Sequence, residues 1–298
     1  MKLIKQSFEI LDQQCGLEGI YKQIEIAGRT CYKSEDKITE DSAKEFVDRM
    51  IKSGHGAMLE HGTVYLMKES DFISTHINPE EGEEHECNPL FKYYDNPYSY
   101  VVEKDNIAYI TTNYRVLVEN GWLDDLQYIC EPTEYHEKRI TVKFTTDQGI
   151  LREFTRHRVF SFAVESTRYC NYTKDKFSNE ITFIQPNWIS DKDIENYHMD
   201  FGYFTDQDTN HITAVNRFIS ALKNAEYFYM ELIKLGWKPQ QARNILPLAT
   251  KCDMIMTGFV SDWRNFFELR DATSAHPQAQ ELAHSLHETF IQRGYIKD

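Results

Sequence analysis

Residues 140–146, ITVKFTT, alternate with the two-residue period of a strand. Asp147 follows at once, placed to cap a helix from about Gly149. A strand that passes directly into a capped helix commits the chain to packing helices on a sheet. The remaining pattern agrees. Residues 41–52 read as a helix, and 63–67 as a strand after the glycines of SGHGAMLEHG. A hairpin turns at 104–106, a helix begins over 113–120, and a long amphipathic helix over 209–235 is stopped by Gly236 and Pro239. Two further helices are predicted, 262–271 and 277–293, the second opened by Pro277. The expected fold class is α+β, a single domain over 1–298 with a mixed sheet and packed helices. Surface additions are expected near 80–100 and 174–208, and no repeat or low-complexity linker divides the chain.

Composition narrows the class. Hydrophobic residues at 41% and charged residues at 27% suit a globular protein, and no run of about 18 apolar residues offers a membrane span. The start, MKLIKQSFEILDQQ, interrupts its apolar residues with charge and lacks the core of a secretory signal, so the expectation is a cytoplasmic protein. Six cysteines are scattered without a C-x-x-C pair, as expected of reduced thiols. A formal charge of −14, from 33 Lys plus Arg against 47 Asp plus Glu, opposes binding to nucleic acid or anionic lipid, so an anionic ligand needs a local cluster of cations.

Such a cluster stands in TRHRVFSFAVESTRYCNY, residues 155–172. Arg156, one turn beyond Arg152, would share its helix face, while His157 and Arg158 point elsewhere. Further cations follow in QQARNILP, with Arg243, and in DWRNFFELR, with Arg264 and Arg270. Arginine offers a rigid fork of donors suited to phosphate and to the edge of a uracil-like ring. The plainer alternative is that these arginines meet helix-end carbonyls or nearby carboxylates, and that Ser161 and Ser166 satisfy a turn.

Arg156-His157-Arg158 followed after seven residues by Ser166 resembles the signature of the flavin-dependent thymidylate synthases. The resemblance continues through Arg168-Tyr169, EHG at 60–62, QARNILP at 241–247 and FFELR at 266–270. It implies reductive methylation of dUMP at C5 to dTMP, with methylenetetrahydrofolate as carbon donor, FAD as the hydride-carrying cofactor and NADPH as its reductant. It also implies a homotetramer whose sites draw on several subunits. The chain lacks what a classical synthase needs, since none of its eight prolines precedes a cysteine nucleophile.

By the same resemblance Arg270 is the catalytic arginine, stabilising charge on the pyrimidine. The dUMP contacts are Glu153, Arg156, Glu165, Ser166, Thr167, Arg168, Arg243 and Arg270. The FAD contacts are His61, Thr63, Arg156, His157, Arg158, Ser261 and Asn265. For His61 the roles of positioning a ring, relaying a proton, or capping and packing stay open. Ser166 has no base partner in sequence, so it is a hydrogen-bonding ligand. No metal is expected.

The chain departs from the family where Ala163 and Val164 replace polar or acidic residues, and where Phe259-Val260-Ser261-Asp262 replaces a Val-Asn-x-Arg pattern. Its only G-x-G, Gly54-His55-Gly56, lacks the third glycine of a dinucleotide fold, and no P-loop motif exists. Two other classes remain: a non-catalytic nucleotide or flavin sensor, and a metal-dependent nucleotide hydrolase using His76, His85, Glu86 and Cys87, whose spacing matches no metal motif.

Overall fold

A computed structural model describes residues 1–70, 74–77, 84–87, 90–174, 177–195, 197 and 213–297, the two short segments by their backbone alone. The chain opens with strands β1 (Lys2–Ile4) and β2 (Ser7–Ile10), then helices α1 (Gly16–Tyr32), α2 (Ser42–Lys52) and α3 (Gly56–Leu59). Strands β3 (Thr63–Glu69), β4 (Ser74–Ile77) and β5 (Glu84–Cys87), helix α4 (Phe91–Tyr94), strands β6 (Tyr100–Lys104) and β7 (Ile107–Asn113) and helix α5 (Tyr114–Asn120) follow. The signature region holds β8 (Arg139–Asp147), α6 (Gln148–Phe154), β9 (Ser161–Val164) and β10 (Thr182–Ile184). The last part comprises α7 (Asp191–Glu195), α8 (Ala214–Lys234), α9 (Pro239–Ala242), β11 (Lys251–Phe259), α10 (Val260–Arg270) and α11 (Pro277–Gln292).

The centre is an antiparallel sheet ordered β2-β8-β11-β9. Its spine is the nine-residue pairing of β8 with β11, from Asp147 opposite Lys251 to Arg139 opposite Phe259. Alternation along β11 feeds two cores. Met254 and Met256 join Phe144, Phe154, Trp263, Phe266 and Phe290 beneath α6, α10 and α11, whereas Ile255 joins Ala163, Ile24, Phe46 and Leu66 on the side of α1 and α2. Each such fully buried apolar side chain contributes about 1.5–3 kcal/mol. The strand reads KCDMIMTGF, with Cys252, Met254 and Met256 on one face and Ile255 sharing the other with Lys251, Asp253 and Thr257.

The fold is thus α+β, with antiparallel pairing throughout its four- and three-stranded sheets and parallel pairing between β1 and β10. The predicted hairpin is β6–β7. Asp105 and Asn106 sit at φ 53° and 60°, the left-handed pair that a two-residue turn needs. Helix α8 starts at Ala214, where the Thr213 side chain accepts from the Asn216 amide. The predicted start at 209 falls outside the described residues, as do 80–83 and 88–89 of the first expected addition and 175–176, 196 and 198–208 of the second. Helix α10 begins two residues earlier than predicted, because Asp262 reaches back to accept the Phe259 amide at 3.0 Å.

Candidate active site

Asp147 does what its place in sequence predicts. One carboxylate oxygen accepts the Gly149 and Ile150 amides at 2.8 Å each, and the other accepts Gln278 Nε2 at 3.1 Å, which ties α11 to the start of α6. The helix stops at Phe154, and the Thr155 hydroxyl donates back to the Leu151 carbonyl at 3.0 Å. Arg156 therefore lies beyond the helix rather than one turn further along its face. Arg156 and Arg158 are exposed, and among the described residues neither guanidinium has a hydrogen-bond or ion-pair partner. His157 between them turns inward, 7% exposed, with its ring 5.1 Å from that of Phe266.

Arg270, at the end of α10, meets this turn. Its Nε donates to His157 Nε2 at 2.9 Å, Nη1 to Glu153 Oε2 at 2.9 Å and Nη2 to the Glu153 carbonyl at 2.8 Å. A guanidinium has five N–H donors. Three are engaged here, so two remain for a ligand. Burial, and then the charge of Arg270, bring the His157 pKa down to about 4, so the imidazole is neutral and accepts at Nε2.

The signature loop is held separately. The Ser166 amide donates to the Cys31 carbonyl at 3.0 Å, the Glu165 amide to the Asp253 carbonyl at 2.8 Å, and Arg243 Nη1 to the Thr167 hydroxyl at 3.0 Å. Arg168 is exposed, its guanidinium 5.3 Å from the Tyr169 ring. Glu165 is buried in a cluster of two carboxylates and two lysines. It accepts from Lys251 at 2.8 Å, lies 3.8 Å from Lys33 Nζ, and shares both lysines with Asp253. Burial works against the charge of Asp253, but Lys251 and Lys33 outweigh it and hold this carboxyl well below the usual range. A Glu165 so engaged acts on the loop's position rather than as an open ligand.

His61 is fully enclosed, with Nδ1 2.8 Å from the Thr257 hydroxyl, and among the described residues Nε2 has no hydrogen-bond partner within bonding geometry. Burial, then Arg139, lower its pKa to about 3. This enclosure favours packing over contact with a flavin. Arg139 donates to the Glu60 carbonyl at 3.0 Å and to the Thr63 and Ser161 hydroxyls at 3.4 Å, and Thr63 and Arg139 line a cavity of about 190 Å³. Ser261 and Asn265 are exposed on α10.

Ala163 and Val164 pair with Ile255 and Met254 of β11 and pack on the two cores, which accounts for their apolar character. Sequence reasoning missed Lys33, His55, Arg139, Lys251 and Asp253. Lys251 and Asp253 share one strand face by their spacing, a readable signal; the others had none. The side chains of His76, His85, Glu86 and Cys87 lie outside the described residues. Among the described residues no three His, Cys, Asp or Glu side chains could hold a metal, and no helix is long and apolar enough to cross a membrane.

The fold is an α+β scaffold on which Arg270 meets His157 and Glu153. Residues 132–293 match the family described as thymidylate synthase complementing protein, and the chain belongs to that family. Relatives include a probable flavin-dependent thymidylate synthase of Paramecium bursaria Chlorella virus 1, 25% identical over 153 residues, and a flavin-dependent thymidylate synthase of Synechocystis sp., 27% identical over 153 residues. In each case the match covers 51% of this chain and 66% of the relative, a little under two thirds of its length. A solved structure, a UMP/dUMP methylase PolB from Streptomyces cacaoi bound with 5-Br dUMP, aligns over 98% of this chain and 93% of its own at 17% identity and a TM-score of 0.42, too distant for residues to be carried across.

Proposed function

We propose that the protein methylates dUMP at C5, taking the carbon from methylenetetrahydrofolate. The observation that carries this reading is the meeting of Arg270 with His157 and Glu153, 113 and 117 positions away in sequence, each from a segment that resembles the flavin-dependent synthases. Glu153 and His157 fix the guanidinium so that its two remaining donors face a pyrimidine edge on which negative charge develops. Arg243 and Arg168 flank the loop as phosphate partners, and Ser166 contributes a hydroxyl. The described cysteines speak against a thiolate nucleophile. Burial pushes the Cys15, Cys31, Cys130 and Cys252 thiols up, and Cys170 is buried.

The exposed Arg156 and Arg158, lacking acid partners among the described residues, fit an anionic dinucleotide such as FAD, with Asn265 as a further polar contact. A bound reduced flavin would supply the hydride, and NADPH would renew it. Among the described residues no hydrogen bond or ion pair joins the Arg270 group to the Arg243 group, which suits sites completed by other subunits of a homotetramer. Free thiols and strong negative charge suit a cytoplasmic setting.

Release of tritium from C5-labelled dUMP under low oxygen, with FAD, NADPH and methylenetetrahydrofolate, tests the reading. Release dependent on both NADPH and the folate is expected. Binding of dUMP without release would give a nucleotide sensor instead.

A further inference from the structure

The cavity of about 190 Å³ lies between the N-terminus of α1 and strands β3 and β8, and its wall offers more hydrogen-bond donors than the protein itself uses. Arg139 is the first of them. It is 9% exposed, yet among the described residues no carboxylate forms an ion pair with it. Its Nη1 makes one good bond, to the Glu60 carbonyl at 3.0 Å, while its contacts with the Thr63 and Ser161 hydroxyls are long, at 3.4 Å each. Nε has no partner among the described residues. The carboxylates whose charge reaches Arg139 are engaged elsewhere, Glu60 with Arg115 at 2.6 Å and Asp262 with the Phe259 amide at 3.0 Å. Burial brings the Arg139 pKa down to about 10, so the cation persists at neutral pH without an ion-pair partner.

The groups beside it are donors too. The Tyr65 hydroxyl accepts the Arg139 amide at 3.2 Å, burial keeps it protonated, and its own proton has no acceptor among the described residues. The Thr63 hydroxyl, which receives Arg139, is in the same position. Cys15 and Gly16 bring the start of the 17-residue helix α1 to this wall, and no side chain caps it, so the positive end of the helix adds to the excess. Asp12, the only acid of the lining, has both oxygens 2.9 Å from Arg293. Buried donors left without acceptors are costly, and one anion satisfies them together.

The rest of the wall sets the character of that anion. Ile10, Leu11, Ile20, Ile129 and Ile140 give the cavity an apolar side. Its volume falls short of the roughly 300 Å³ at which pockets for larger ligands begin, so a dinucleotide is too big. At roughly 30 Å³ per water it holds about six water-sized groups. Most of the wall precedes residue 132, where the family match begins, and none of it belongs to the Arg270 or Arg243 groups.

We propose that this cavity binds a small monocarboxylate with a short apolar body, the carboxylate on Arg139, Tyr65 and Thr63 at the start of α1 and the body against the isoleucines. A carboxylate matches the fork of a guanidinium and leaves one end for apolar contact, whereas phosphate carries oxygens on every side.

Calorimetry on the full chain in chloride-free buffer tests this with 3-methylbutanoate, its neutral isostere 3-methylbutanamide and inorganic phosphate. The carboxylate is expected to bind at least about tenfold more tightly than the amide, because the charged acceptor is what the site lacks. Tyr65→Phe is expected to weaken the carboxylate roughly two- to twelvefold, and Arg139→Met to abolish its binding. If Arg139→Met does not fold, the comparison with the amide and Tyr65→Phe read the same contacts. The proposal is overturned by no binding of the carboxylate, by equal binding of carboxylate and amide, by phosphate binding the more tightly, or by an affinity indifferent to Tyr65→Phe. The readout needs no turnover and stands apart from the outcome of tritium release.

Discussion

Arg270 Nε donates to Nε2 of His157 at 2.9 Å, so the imidazole proton resides on Nδ1 and the ring is neutral. Because burial is the larger cause of the lowered His157 pKa and Arg270 the second, the two can be separated. Wild-type His157 should titrate near pH 4 by NMR, and in Arg270→Gln the midpoint should rise only part of the way to the ordinary 6.5. A wild-type midpoint near 6.5 would show that the contact does not persist in solution.

Two histidines held neutral give the protein an acid limit. His61 and His157 are depressed to about 3 and about 4, whereas in the unfolded chain both titrate at the ordinary 6.5. Above that value neither state takes up the proton and these groups leave stability unchanged. As pH falls below 6.5 the unfolded state binds protons that the folded state refuses, so stability is lost at about 1.4 kcal/mol per histidine per pH unit. The loss should flatten for His157 near 4 and continue for His61 to about 3. Urea midpoints from pH 7 to 4 measure it, and His61→Asn should make the slope shallower.

What the sequence revealed and hid follows from burial. The strand at 140–146 and its Asp147 cap are local signals, and both stand in the structure, as do α2, α5, α11 and the hairpin at Asp105-Asn106. Strand β11 and helix α1 escaped because each mixes buried polar residues into its inner side, Asp253 and Thr257 in the strand and Gln23, Glu25 and Arg29 in the helix. The resemblance put Arg270 on the pyrimidine and His157 on the flavin, and their direct contact was not foreseen, since no local pattern spans 113 residues. The Lys33–Asp253 pair, 220 residues apart, was hidden for the same reason.

That buried four-charge cluster should show strong coupling. Glu165→Gln leaves two lysines facing Asp253, and Lys251→Met leaves two carboxylates facing Lys33. Breaking a buried pair in this way costs about 3–5 kcal/mol. The double variant keeps the balanced Lys33–Asp253 pair and should lose less than the sum of the two, by roughly 0.5–3 kcal/mol. Urea unfolding of the four proteins measures the cycle, and simple additivity would mean that the charges do not act together.

Asp147→Ala removes the oxygen that accepts the Gly149 and Ile150 amides and the one that accepts Gln278. Loss of a helix N-cap costs about 0.5–2 kcal/mol. Asp147→Ser, which can still cap but cannot reach as far, should recover part of the loss. Equal stability of wild type and Asp147→Ala would show that α6 is held by packing alone.

Ser166 decides between a ligand and a nucleophile by magnitude. Its amide is fixed to the Cys31 carbonyl, while its hydroxyl has no partner among the described residues and stands next to Glu165, which the lysines already occupy. Without a base to remove its proton, the hydroxyl can only donate to or accept from a bound ligand. Removing one such neutral hydrogen bond costs about 0.5–1.5 kcal/mol, or roughly two- to twelvefold in kcat/KM. Loss of a covalent nucleophile costs orders of magnitude more, as serine hydrolases show at about 10⁶ in kcat. Ser166→Ala should therefore retain measurable tritium release with weakened dUMP binding, whereas Arg270→Ala should lose most turnover and bind dUMP poorly. Complete loss of turnover in Ser166→Ala, with dUMP binding and thermal melting unchanged, would return the serine to the chemistry and remove Arg270 from its centre.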